Sequence, residues 1–337
     1  MTNKEKHTQI WILRIMRYIH KRTRIPPFLI STVIFGLFPY LILSFLHHEL
    51  VYDIGLICFY LWMGLAPYLI LRAANLVESF HTQLLPLVQH KEEFEVVYSH
   101  FITSFHSKQH FIIGVPLALV TAIIGYYSFR SSFGVLPLSI LLMCAFILFI
   151  LTSIGFSGIS HSIIFIRRLC NLSLYINPLH HDKFGGMKFI ASYSVRIALL
   201  FSSGCLLLPV AFETFKLLAM PQVYYMSVAV TIFFTLFVVA AFVIPLYCLH
   251  IKARYEKSKI LSAGERGIID EVFPLYREKE KLNPNQIYPL FILYMIEEKI
   301  EEMTTIPIDA KLLVEIGIIL LEPIIIIKGI FELMGVV

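Results

Sequence analysis

The stretch FGVLPLSILLMCAFILFILTSIGFSGISHSIIFI, residues 133–166, runs for 34 residues without a formal charge. As one helix rising 1.5 Å per residue it would reach about 50 Å, against roughly 30 Å of bilayer hydrocarbon. It therefore reads as a membrane span that projects beyond the lipid and packs its extension on neighbouring helices. Outward from it, five more apolar runs have the length of a crossing: residues 28–46, 54–71, 111–129, 189–212 with a lone Arg196, and 222–249. The last is expected to project as well, because helix-forming sequence continues through Lys252, Arg254, Tyr255 and Lys257 without a breaker.

The whole 337-residue chain agrees with that reading. It is 58% hydrophobic and 15% charged, with a mean hydropathy of +0.76, whereas soluble domains spend about a quarter of their residues on charges. The fold class expected is all-α: a polytopic bundle of seven spans, the seventh being the final apolar segment. Disorder requires low hydrophobicity and high charge, the opposite of this balance. The basic residues lie beside apolar runs, so the net charge of +5 reads as an orientation signal and no nucleic-acid partner is expected.

Twenty-four of the 28 lysines and arginines fall in one alternate set of loops, residues 1–27, 72–110, 167–188 and 250–311. The opposite loops hold Arg130 and Lys216. By the positive-inside rule the amino terminus is cytosolic, in a cell membrane crossed many times. Before the first span, Arg14, Arg17, Lys21 and Arg24 share one helical face while Ile12, Ile15 and Ile19 share another. Residues 1–27 are thus expected to form an uncleaved amphipathic helix resting on the inner leaflet. Residues 28–250 form the six-span bundle with long cytosolic extensions, 251–310 a cytosolic helical module, and 311–337 a last apolar helix.

In the module, Asn283-Pro284-Asn285 breaks the helix, and residues 287–303 form an amphipathic stretch ending in Glu297, Glu298, Glu301 and Glu302. Phe291, Tyr294 and Met295 are expected on its buried face. Residues 312–337 are apolar again but carry Glu315, Glu322, Lys328 and Glu332. A charge at mid-bilayer costs about 2.5–3.5 kcal/mol, so these carboxylates must face protein or water. Seven residues turn a helix by about 700°, placing Glu315 and Glu322 on one line, with Lys311 on the same face and Ile319 and Ile326 close to it. Pro323 is positioned to kink the helix after the second acid. One reading makes this a seventh span whose acids attract cations along an aqueous path, with the isoleucines as a constriction. The other packs it in or under the bundle with the acids paired, for example to Arg196.

Between the fourth and fifth runs lies Asn177-Pro178-Leu179-His180-His181-Asp182-Lys183-Phe184-Gly185-Gly186-Met187. Pro178 stops a helix, the Gly185-Gly186 pair permits a tight bend, and Asp182 is placed to accept from free backbone amides. His180, Asp182, Gly185 and Gly186 are therefore assigned to a structural turn; three adjacent polar residues diverge too much to favour a metal or acid-base site. His106 and His110 have the spacing of a zinc helix but no third ligand, and His47, His48, Glu49 and Asp53 read as a solvated loop. Cys58, Cys144, Cys170, Cys205 and Cys248 show no CxxC spacing and read as small hydrophobes. No catalytic signature of a hydrolase, phosphate-binding or dinucleotide-binding enzyme is present, so no enzyme activity, cofactor or metal is expected. Arg196 can hold an anion or lipid headgroup, pair with an acid, or snorkel to the interface.

The segment from His180 to Met187 resembles an HPDxxGGL-type signature of uncharacterised prokaryotic membrane proteins, with His181 in place of proline and Met187 in place of leucine. Ile306-Pro307-Ile308-Asp309, followed by Pro323, resembles the PFD-then-proline ending of the same group. In architecture the chain resembles the seven-transmembrane ion channel superfamily that includes insect odorant and gustatory receptors. The long fourth and sixth segments, the helix at 287–303 and the final segment fill the places of its cytosolic anchor and pore helix. The resemblance implies a chemoreceptor-like homotetramer gated by a small ligand. The expected function is an oligomeric ion channel, cation-conducting, lined by Glu315, Ile319, Glu322 and Ile326. A secondary transporter using the same acids, and a non-catalytic membrane scaffold, are the alternatives.

Overall fold

The computed structural model describes residues 10–46, 54–105, 108–130, 134–174, 182–205, 221–277, 295, 298–305 and 312–317. Among them the chain is helical, with an isolated antiparallel bridge between Val88 and Leu174 and no strand. Five stretches are long and apolar enough to cross a membrane: Pro27–Leu46, Gly55–Leu87, Lys91–Tyr127, Val135–Asn171 and Ile232–Ser262. Of the expected fifth span, 189–212, the described residues form part of an 18-residue helix, Lys188–Cys205, which is not among those five. Of the expected seventh, residues 312–317 are described and helical.

Helix α1, Trp11–Thr23, buries Ile12, Leu13 and Met16 and ends at Arg24 in a left-handed cap, with His20, Lys21 and Arg22 over the negative end of its dipole. These three side chains pack into a cluster with Ile30, Ile70, Leu71 and Leu151; of the face expected on lipid, Ile12 is in that cluster whereas Ile15 is 39% exposed. Arg17 also donates to Glu78 at 2.8 Å.

The first crossing, α2 (Pro27–Leu46), begins with proline at its first turn and widens into a π-helical stretch at Thr32–Leu37. There it meets α3, Ile54–Leu84, backbone to backbone. A Cβ built on Gly36 would lie 3.0 Å from the Tyr60 carbonyl and 3.2 Å from the Gly64 Cα. The buried Ser31 hydroxyl donates to the Gly64 carbonyl at the same crossing. Small residues let membrane helices approach this closely, and dispersion rather than hydrophobic transfer then holds them, since lipid tails are as apolar as leucine.

Helix α3 continues past Leu71, where the charge-free run ends. Ala74, Val77, Phe80 and Leu84 recur on one buried face while Arg72 and Glu78 stay exposed, so the extension is an amphipathic helix. After α4 (Lys91–Phe105) and α5 (Gln109–Phe129), α6 spans Val135–Asn171 without a break, as its 34-residue run requires. The deepest core gathers where α3, α4, α6, α7 (Lys188–Cys205) and α8 (Pro221–Arg277) converge. Phe80 stacks on Tyr193 at 4.0 Å between ring centroids, and Phe101 on Phe165 at 4.5 Å. Helix α8 runs unbroken to Arg277, well past the end of the sixth apolar run at Leu249.

Candidate functional site

The described residues include parts of two candidate sites: the turn that opens α7, and the start of the final apolar segment. In the turn, Oδ1 of Asp182 accepts from the Phe184 amide at 2.9 Å and the Gly186 amide at 3.0 Å, and Oδ2 from the Lys188 amide at 3.4 Å. Lys188 is the first residue of α7, so the carboxylate gathers an amide that no preceding helical turn can satisfy. Lys183, Gly185 and Gly186 all have positive φ, at 57°, 66° and 90°. Glycine meets that demand without strain at the last two positions; the lysine does so against a Cβ penalty of about 1–2 kcal/mol. Phe184 and Met187 point into the core, which holds the turn down. His180 and His181 lie outside the described residues.

The backbone bend at Lys183 has a partner far along the chain. Both the amide and the hydroxyl of Thr304 donate to the Lys183 carbonyl, at 3.1 and 3.3 Å. From α8, Lys257 Nζ donates to the carbonyls of Glu301 and Met303 at 2.8 and 2.9 Å, and His250 Nδ1 meets the Thr305 carbonyl at 3.3 Å. A lysine over the last carbonyls of the helical turn at 298–302 satisfies acceptors that the helix leaves open and complements its dipole. Residues 301–305 are thus tied at once to the turn before α7 and to the extension of α8.

The buried face of this segment carries Ile300 and Met303, each 3% exposed. Met295, expected there, is 46% exposed; Phe291 and Tyr294 lie outside the described residues. Glu302 pairs with Lys299 at 2.7 Å in the open. The neighbouring ammonium holds the Glu302 carboxyl below its usual range, and the carboxylate in turn raises the Lys299 ammonium.

In residues 312–317, Leu312 and Ile316 turn into the main core, whereas Leu313 and Val314 are 59% and 65% exposed. Glu315 stands on the buried side of this short helix. Its Oε2 is shielded from solvent and has no hydrogen-bond partner among the described residues. Ile319, Glu322 and Ile326, the other three residues assigned to a pore, lie outside the described residues. His106 does too. The His110 ring is buried, and its carbonyl accepts from Ser153 Oγ at 2.7 Å. Among the described residues no three His, Cys, Asp or Glu side chains come together as a metal site. Four cysteines, Cys58, Cys144, Cys170 and Cys248, are free thiols.

No protein family, curated protein or solved structure matches this chain. Sequence reasoning missed the link from Lys183 to Thr304, which are 121 residues apart and carry no local signal for each other. It also missed Lys257 as a ligand for carbonyls; Lys257 and His250 lie seven residues apart, hence on one face of α8, which was the available signal.

Proposed function

We propose that the chain is one subunit of an oligomeric, cation-conducting channel in the cell membrane, with seven spans and a cytosolic amino terminus. The pore is lined by the helix that starts at Leu312, with Glu315 and Glu322 concentrating cations and Ile319 and Ile326 forming the constriction. The observation that carries this reading is Glu315 Oε2, shielded from solvent and without a hydrogen-bond partner among the described residues, on a half-buried side chain at the start of an apolar segment. A shielded acceptor without a partner is costly, and an ion path or an adjoining subunit is the means of satisfying it. Exposed Leu313 and Val314 beside it offer the apolar contact that a neighbouring subunit would cover. The ties from residues 301–305 to α8 and to the turn before α7 suit a rigid anchor for such a helix, and the architectural likeness to the seven-transmembrane ion channel superfamily supports the same assignment.

Purified protein in planar lipid bilayers tests it. A salt gradient should give a reversal potential of cation sign, and Glu315→Gln with Glu322→Gln should move that potential toward zero. Unchanged selectivity in the double variant removes both acids from the path; absence of unitary conductance removes the channel. A transporter is the second reading, favoured by the same observation, since a shielded carboxylate also suits a proton-coupling group. Saturable uptake at carrier rates that needs a proton gradient identifies that case.

A further inference from the structure

At the end of the bundle that carries the basic loops, a cleft of about 540 Å³ opens between the extension of α3 and the start of α7. That volume is within the roughly 300–1,000 Å³ of small-ligand pockets. Lys188, Ser192 and Arg196 project into it from successive turns of α7, and Ser79 and Gln83 face them from α3. The stacked pair Phe80 and Tyr193, both buried, forms an apolar wall. Eight residues separate Lys188 from Arg196, about 12 Å along the helix axis, so the two cations stand at opposite ends of the cleft's α7 wall.

Arg196 has no hydrogen bond, ion pair or ring contact with any described residue. The one carboxylate lining the cleft, Asp182, is turned to the backbone amides of Phe184, Gly186 and Lys188. A guanidinium with five donors and no hydrogen-bond partner among the described residues, in a cleft shared with two hydroxyls, an amide and an ammonium, is a donor set for tetrahedral oxyanions. It stands beside the apolar stretch of α7 that continues through Leu200 and Phe201.

We infer that this cleft binds a phosphate monoester, with the Arg196 guanidinium gripping the phosphoryl oxygens and Lys188, Ser192 and Gln83 completing the shell. The shared chemistry is the phosphate; its source is either a headgroup of the adjoining leaflet or a soluble phosphate ester. The apolar wall of Phe80 and Tyr193 gives a glycerol backbone a surface to lie on.

Calorimetric titration of the full chain in a neutral detergent tests the inference, with dioctanoyl phosphatidic acid as the lipid arm, glycerol phosphate as the soluble arm and dioctanoyl phosphatidylcholine as the zwitterionic reference. Phosphatidic acid should bind at least about tenfold tighter than the reference, and Arg196→Gln should weaken it by about tenfold or more, the value of a charge-assisted contact. Lys188→Gln should weaken it less, and Lys259→Gln, an exposed lysine on α8, by under about twofold. Ser192→Leu fills the cleft without removing charge and should abolish binding, which keeps the inference testable where Arg196→Gln fails to fold. Binding of the lipid arm alone identifies a headgroup site, and binding of both arms a soluble ester site. No binding in either arm, an unchanged affinity in Arg196→Gln and Ser192→Leu, or an equal loss in Lys259→Gln overturns it.

Discussion

Removing the Asp182 side chain is the sharpest test of how this fold holds its turn. In Asp182→Ala three backbone amides lose their acceptor, two of them at 2.9 and 3.0 Å and the third at a weak 3.4 Å. A hydrogen bond to a charged group contributes about 1.5–3 kcal/mol, and stranding a buried donor costs about 1–3 kcal/mol. The cleft beside Asp182 lets water reach part of the vacated space, so the two short bonds set the size of the effect at about 3 kcal/mol. Asp182→Asn keeps an oxygen for Phe184 and Gly186 but turns an amide donor toward the Lys188 amide, for a cost of about 1–2 kcal/mol. The assay is unfolding in mixed micelles of rising sodium dodecyl sulfate, followed by the fluorescence of Trp11 and Trp62, the chain's two tryptophans. If the alanine variant unfolds within about 0.5 kcal/mol of the parent, or if asparagine costs as much as alanine, the carboxylate does not organise the turn.

Gly64→Leu should destabilise by more than about 2 kcal/mol in the same titration, because a Cβ there meets the Gly36 Cα at 3.1 Å and the Thr32 Cα at 3.3 Å, both backbone. Lys257→Met should free residues 301–305 from α8 and speed tryptic cleavage after Lys299, while leaving the micellar unfolding midpoint near the parent's. Arg17→Ala should cost under about 1 kcal/mol, since its pair with Glu78 is partly solvated, whereas Leu13→Ala, which empties a fully buried site, should cost about 2–5 kcal/mol.

What the sequence discloses and what it hides divide along a physical line. The long helix around residues 133–166 is legible because a charge-free run leaves no alternative inside lipid, where every backbone group must be bonded within the helix. The extension of α3 beyond Leu71 is not found by that criterion, since Arg72 and Glu78 end the run; the spacing of Ala74, Val77, Phe80 and Leu84 carries it instead. The close approach of Gly36 to Gly64 within the π-helical stretch of α2 is a contact no window of local sequence contains. Asp182 was legible as an acceptor because turn chemistry is local. Thr304 was not legible as its neighbour's partner, and the cleft around Arg196 needed Ser79 and Gln83 from a helix more than a hundred residues away. The i, i+4, i+8 spacing of Lys188, Ser192 and Arg196 was the one trace of it in the sequence.

The docking of residues 301–305 also sets an order of biogenesis. Lys183, His250 and Lys257, which receive this segment, are all synthesised before it. Residues 301–305 therefore leave the ribosome with every group that receives them already made, and the released chain can seat them at once.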